Sequence, residues 1–341
     1  MTTPIPFQNR LGPALSSPVF ELEDAYVWCP SLVRSDDGRY HLFASSWPKS
    51  LPFMRSYPLR SQTIRAEAES PEGPFVFREV VLDERGSSFW DGRATHNPQV
   101  HRIGDTFALF YIGTTYPESP PQTVDELNAA EDVRVRAYDA FRIGCAVADD
   151  PRGPWQRSSE PVLNVRPGEW DASIVTNPAV CVCADDSLLM IYRSNTPQGC
   201  RLGVARAAGL GQPFERLTDG PILENLHLED PFIWQNRETG TFEMIAKDLS
   251  GKATGEVHAG AHALSTDGIH WNPASEAKAY SRSLRYTDGV QRPVGHLERP
   301  YVYFEKGVPS MLYFATAQPE GAFAKIDHLN KHTWITGVPL V

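Results

Sequence analysis

The chain has 341 residues, enough for one large or two ordinary domains with a buried core. Asp and Glu number 42 against 32 Lys and Arg, a formal charge of −10. That balance argues against nucleic acid or an anionic membrane as a partner, since both need a basic face. The opening MTTPIPFQNRLGPALSS shows no basic segment leading into an apolar core, and no apolar run approaches a membrane span. Five cysteines, odd in number and without CxxC pairing, fit free thiols in a reducing cytoplasm, the expected compartment.

In chain order, DAYVWCPSLVRSDDGRYHLFASSW opens at Asp24 and reads as strand, turn, strand. IRAEAESPEGPFVFREVVL (64–82) adds a strand, a Pro/Gly turn, an aromatic and another strand. WDGRATHNPQV (90–100) restarts the pattern, and WDASIVTNPAV (170–180) writes the same phrase again. HLEDPF opens the next copy at His227 and HLERPY another at His296. Aligned on Pro30, Pro98, Pro178, Pro231 and Pro300, each copy carries a hairpin turn: SDDGR, RIGDT, CADDS, QNRETG or FEKGV. Second hairpins follow at 143–163, at 202–223 and, more loosely, at 262–280.

Two hairpins per unit make four antiparallel strands, and five units in series describe an all-β, five-bladed β-propeller. The blades are expected at 24–82, 91–163, 171–223, 227–280 and 296–341 of a single domain. Closure of the short fifth unit is open between FAKIDHL, HTWITGVPLV and the N-terminal SPVFELED, with 17–23 as the closing piece. The Trp-Asp pairs lack the Gly-His partner and even period of WD40 repeats. Tyr116–Phe141 interrupts unit two with a charged, helical-looking middle, either a wall of a pocket or a solvated excursion.

Residues just before the innermost strands meet at one mouth of a propeller's channel. This reasoning gathers Asp24, Asp91, Asp171, Glu229, Asp230 and Glu298 as candidate catalytic carboxylates. Substrate-binding candidates in the same phrases are Arg93, His96, Arg193, Lys247 and Arg299 as donors, and Trp28, Trp90 and Trp170 as flat platforms. Asn97 and Asn177, each before a proline and so expected to be extended, would aim amides at a ligand. Duller readings stand beside these. Asp91 and Asp171 would shape their loops by accepting hydrogen bonds, Glu298 and Arg299 would form an inter-blade ion pair, and Asp24 would be surface charge. Glu229 and Asp230 are strand neighbours, so only one is expected to face the channel.

Carboxylates, aromatic platforms and amide or guanidinium donors suit a sugar, and glycosidic cleavage needs one protonated and one ionised carboxyl. His96, His227 and His296 lack metal-ligand spacing; no metal or cofactor is expected, a structural channel ion apart.

The proline-anchored strands with acids from several blades resemble the five-bladed glycoside hydrolases of families 43, 32, 62 and 117. LEDPF is similar to the Glu-x-Pro segment that carries the general acid in families 43 and 32. Those families hold a base or nucleophile as Asp-Pro where this chain has Cys29-Pro30, and family 43 has Asp where Asn177 stands. The resemblance implies a glycosidase acting from the end of a small oligosaccharide or glycoside. Asp91 and Asp171 would be base and pKa-setting groups, with Glu229 or Glu298 as acid. TNPAVCVCADDSLLMIYR also resembles the family 130 phosphorylases, with Arg193 on phosphate, and the departure at Cys29 leaves room for a carbohydrate-binding propeller without turnover.

Overall fold

A computed structural model describes residues 5–318 and 332–341. Blade I comprises β1 (Ala25–Arg34), β2 (Tyr40–Pro48), β3 (Gln62–Ala68) and β4 (Val76–Leu82), antiparallel and in sequence order. Blade II repeats this with β5 (Ala94–Ile103), β6 (Thr106–Thr114), β7 (Arg142–Ala148) and β8 (Gln156–Arg157). Blade III uses β9 (Thr176–Val182), β10 (Leu188–Thr196), β11 (Gly199–Ala207) and β12 (Glu215–Arg216). Blade IV uses β13 (Leu228–Gln235), β14 (Phe242–Asp248), β15 (Gly260–Ser265) and β16 (Asn272–Tyr280). A short hairpin, β17 (Ser283–Arg285) and β18 (Gln291–Pro293), leads to blade V: β19 (His296–Glu305), β20 (Val308–Ala317) and β21 (Thr333–Pro339).

The first strand of every blade is innermost. β1 packs on β5, β5 on β9, β9 on β13, β13 on β19, and β19 back on β1, which closes the five-bladed propeller. Burial follows radius. Every interior position of β1 is buried, so its apolar run is continuous, whereas β4 at the rim is mostly exposed.

The seam is stitched by the N-terminal segment. Val19 N donates to Ile335 O (2.9 Å) and Ile335 N to Phe20 O (2.8 Å), so this stretch extends blade V beyond β21. Farther back, Phe7 is fully buried against Trp234 and His262, and Arg10 pairs with Glu243 at 2.9 Å. β21 falls in HTWITGVPLV, while FAKIDHL lies outside the described residues.

Two insertions stand on one face. α1 (Phe53–Arg60) joins β2 to β3, and α2 (Val124–Ala129) and α3 (Glu131–Asp139) join β6 to β7. A capping box starts α2: Thr123 accepts from Glu126 N while Glu126 accepts from Thr123 N. Leu59, Tyr116, Leu127, Val133 and Ala137 form a small core between the insertions, and Tyr116 Oη donates to Leu59 O at 2.8 Å. No described helix is long and apolar enough to cross a membrane.

Candidate functional site

Each inner strand carries a bulge at the same place, and β19 has a second irregularity between Tyr303 and Phe304. Pairing slips between Trp28 and Ser31, His96 and Gln99, Thr176 and Ala179, Glu229 and Phe232, and Glu298 and Tyr301. Inside each slip is a residue with φ of 50–54° followed by proline: Cys29, Asn97, Asn177, Asp230 and Arg299. Asn97 and Asn177 are therefore left-handed rather than extended, a correction to the local rule for residues before proline. A non-glycine residue there costs about 1–3 kcal/mol, least for Asn and Asp. The bulge offsets that cost by turning five side chains onto the axis.

There they bond to one another in blade order. Cys29 Sγ donates to Asn97 Oδ1 (2.9 Å), Asn97 Nδ2 to Asn177 Oδ1 (2.9 Å), and Asn177 Nδ2 to Asp230 Oδ1 (2.6 Å). Arg299 closes on Asp230 with Nη1 at 3.2 Å from Oδ1 and its backbone N at 3.3 Å from Oδ2. Burial pushes the Cys29 thiol up to about 12, so it is a neutral donor. Burial, with Glu229 and Glu298 nearby, lifts Asp230 to about 6 against the opposing pull of Arg299.

Over this floor lies a cavity of about 250 Å³. One wall is aromatic: Trp28 and Trp47 from blade I, Phe53 and Tyr57 on and around α1, and Tyr138 and Phe141 from the second insertion. Tyr57 lies parallel to Phe141 (6°, 6.2 Å) and tilted on His96. Charged side chains make up much of the rest of the lining. Lys247 Nζ is 2.5 Å from Glu298 Oε1 and 3.8 Å from Glu229 Oε2. Arg193 Nε is 3.4 Å from Glu229 Oε1, and His296 Nδ1 is 2.8 Å from Glu298 Oε1. Burial alone would raise Glu298, but Lys247 and His296 hold it well below the usual carboxylate range. The same carboxylates push Lys247 up despite burial, so the pair stays ionised.

Of the sequence candidates, Trp28, His96, Asn97, Asn177, Arg193, Glu229, Asp230, Lys247, Glu298 and Arg299 line this cavity. Glu229 and Asp230 both reach it, because the bulge breaks strand alternation between them. Glu298 and Arg299 each bridge to blade IV, through Lys247 and Asp230. His96 is held between Ser61 Oγ (2.7 Å) and Cys29 Sγ (3.6 Å), and burial keeps it neutral with a value of about 3. Sequence reading passed over Trp47, Phe53, Met54, Tyr57 and His258 as cavity-lining side chains, while the 116–141 insertion, left open between a pocket wall and a solvated excursion, contributes Tyr138 and Phe141 to the lining.

The remaining candidates are elsewhere. Asp24 is exposed on the approach to β1. Arg93 is tied to Glu84 and to the carbonyls of Tyr116 and Pro117. Asp91 and Asp171 are 1% and 0% exposed and sit in matching cages away from the cavity. Asp171 accepts from Arg166 (2.9 Å), Tyr192 (2.8 Å) and Arg216 (2.6 Å). Asp91 accepts from Arg85 (2.8 Å), Tyr111 (2.7 Å) and Arg157 (3.5 Å). Trp90 and Trp170 stack on Tyr111 and Tyr192 at 17° and 20°. The doubled Trp-Asp phrase is thus a doubled staple, pinning a loop to its own blade. Gly144 and Gly203, opposite those tyrosines, leave the room: a Cβ there would lie 2.5 Å from Trp90 and 2.4 Å from Tyr192.

Among the described residues, no cluster of three or more His, Cys, Asp or Glu is arranged to hold a metal ion. All five cysteines are free thiols.

No family model matches the chain, and no curated protein does. Solved structures named as glycoside hydrolases or arabinofuranosidases are similar in fold. A family 117 glycoside hydrolase of the marine bacterium Zobellia galactanivorans superposes with a TM-score of 0.67 at 13% identity, over 96% of this chain and 89% of that one. The catalytic domain of a family 62 α-L-arabinofuranosidase of Coprinopsis cinerea gives 0.62 at 11% identity, covering 99% and 98%. A thermostable family 43 glycoside hydrolase gives 0.58 at 12%, covering 95% and 91%.

Proposed function

We propose that the protein is a glycoside hydrolase that takes a terminal sugar of a small glycoside or oligosaccharide into the axial cavity. The observation that carries this reading is the pairing of Glu229 and Glu298 across one ammonium in a cavity that aromatic side chains also line. The aromatic side suits the C–H face of a sugar ring, and the charged side supplies acceptors and donors for hydroxyls. The ring of axial side chains closes the cavity below, so a chain end fits and a through-running polymer does not. Glu298, kept ionised by Lys247 and His296, suits attack or base chemistry. Glu229, 3.4 and 3.8 Å from Arg193 and Lys247 and set in the LEDPF segment, is assigned the role of proton donor. The solved structures of similar fold that are named as glycoside hydrolases support the reading.

A binding-only reading is favoured by one feature, the neutral Cys29 where related folds keep an acid. Phosphorolysis is disfavoured because Arg193 is already engaged by Glu229, Asn195 and Tyr138. A screen of 4-nitrophenyl glycosides and short oligosaccharides, with and without phosphate, separates the three. The expected outcome is phosphate-independent turnover that falls about 10²–10⁴-fold in Glu229→Gln on a poor leaving group. Sugar binding with no turnover across the panel would replace it with the binding module.

A further inference from the structure

We infer that the opposite end of the axis carries a second binding site, for a small aryl carboxylate, an organic anion with a flat apolar body. This site is independent of the chemistry performed in the axial cavity.

Each inner strand runs on from its ring residue into a second cavity, of about 410 Å³. That is within the about 300–1,000 Å³ usual for small-molecule sites. Three positions past Cys29, Asn97, Asn177, Asp230 and Arg299 stand Leu32, Val100, Val180, Ile233 and Val302. Every one is aliphatic and at most 2% exposed, so the five form an apolar collar. No described residue lines both cavities. Tyr301 helps to divide them. From blade V its Oη donates to Leu32 O of blade I at 2.8 Å and lies 3.3 Å from Val100 O of blade II, so the phenol crosses the hub.

Charge selects the ligand. The described residues that line this cavity include no Asp or Glu, although the chain carries a formal charge of −10. Four cations stand there instead. Arg34 and Arg102 are already committed, to Glu305 at 2.8 Å and to Asp36. Arg237 and Lys306 have no carboxylate partner among the described residues. They sit in the turns QNRETG and FEKGV that follow the inner strands of blades IV and V.

The same two adjacent blades supply the aromatic lining: Phe232 and Trp234 from β13, and Tyr301, Tyr303 and Phe304 from β19. Phe232 meets Tyr301 edge-on at 5.0 Å, and Trp234 tilts against Phe304 at 6.2 Å. A flat ring packs on such side chains, while a carboxylate pairs with a guanidinium as a fork and with an ammonium as a point charge. His101 adds a polar contact still to be made. Its Nε2 is buried with no hydrogen-bond partner among the described residues, and burial lowers the ring to about 4, so it is neutral.

Isothermal titration of the full chain with 6-bromo-2-naphthoate, and with 6-bromo-2-naphthamide as its neutral isostere, tests this site. One naphthoate per chain is expected, with the amide weaker by at least about tenfold. Reversing both free cations, Arg237→Glu with Lys306→Glu, is expected to weaken the naphthoate by at least about tenfold. The same change of net charge at exposed positions outside the cavity, Arg78→Glu with Arg292→Glu, is expected to alter it less than about threefold at about 0.15 M ionic strength. Anomalous scattering from bromine in soaked crystals of the unmodified protein is expected to place the label against Trp234 and Phe304, a readout that no variant's folding affects. Equal affinity for acid and amide, affinity untouched by the Arg237 and Lys306 reversals, or bromine only in the axial cavity would overturn the assignment. So would the absence of both heat and bromine.

Discussion

Asp230 shows how a single residue binds the axis together and what that costs. Its carboxyl is buried in the hub, accepts from Asn177 and Arg299, and is raised to about 6 by burial and by two neighbouring acids. The folded state therefore holds this proton more tightly than the unfolded chain, whose ordinary value is 3.8. By linkage the stabilising contribution is fully present below about pH 4 and is lost as pH rises through about 6. Urea denaturation across pH 4–7 is expected to show a flatter profile in Asp230→Asn than in the wild type. A profile unchanged by the substitution would mean that the hub does not titrate there. At this scale the sequence pointed to carboxylates on blades IV and V that line the cavity, because Glu229 and Glu298 stand two residues before a repeated proline and Asp230 one. It could not announce their orientation. Asn97 and Asn177 were read as extended, yet the bulge around every proline holds them left-handed and spends their amides on one another.

The hairpins were legible one by one, since each turn sequence and each alternating run is a local signal. The doubled Trp-Asp phrase was legible as a repeat but not as a purpose. Its partners are Arg85 and Arg166 a few residues upstream, and Arg157 and Arg216 on the outermost strands. Only the closed blade brings those charges to one carboxylate. Removing one member of such a buried set costs about 3–5 kcal/mol, because the remaining charges stay desolvated. Asp91→Asn is thus expected to lower unfolding stability by roughly that amount while leaving activity per folded molecule within a few-fold. Equilibrium denaturation alongside active-site titration checks both halves, and loss of activity in a protein of wild-type stability would return Asp91 to the chemistry. The helix α1 was missed for a physical reason. It is short, enters after Pro52 and contains Pro58, a residue that weakens helical signals wherever it falls.

Across the whole molecule, the repeated proline-anchored strands made the five-bladed ring readable before any coordinates. Closure was harder, because it rests on contacts between residues more than three hundred positions apart. The seam joins Val19 and Phe20 to Ile335, with Phe7 buried against blade IV. Those contacts place the two ends of the described chain side by side: Leu11 pairs with Leu340, and Val341 N donates to Arg10 O at 2.9 Å.

A closed ring whose ends adjoin has no obligatory starting point. Circular permutants that fuse the present ends and begin instead at exposed Glu224–Asn225, between blades III and IV, keep every intrablade strand pairing covalently local. Such a permutant is expected to fold with the wild-type elution volume and circular dichroism spectrum and a closely similar melting temperature. If it aggregated while a permutant opened inside a blade stayed soluble, the order in which blades are synthesised, and not their mutual packing, would govern how the ring is assembled.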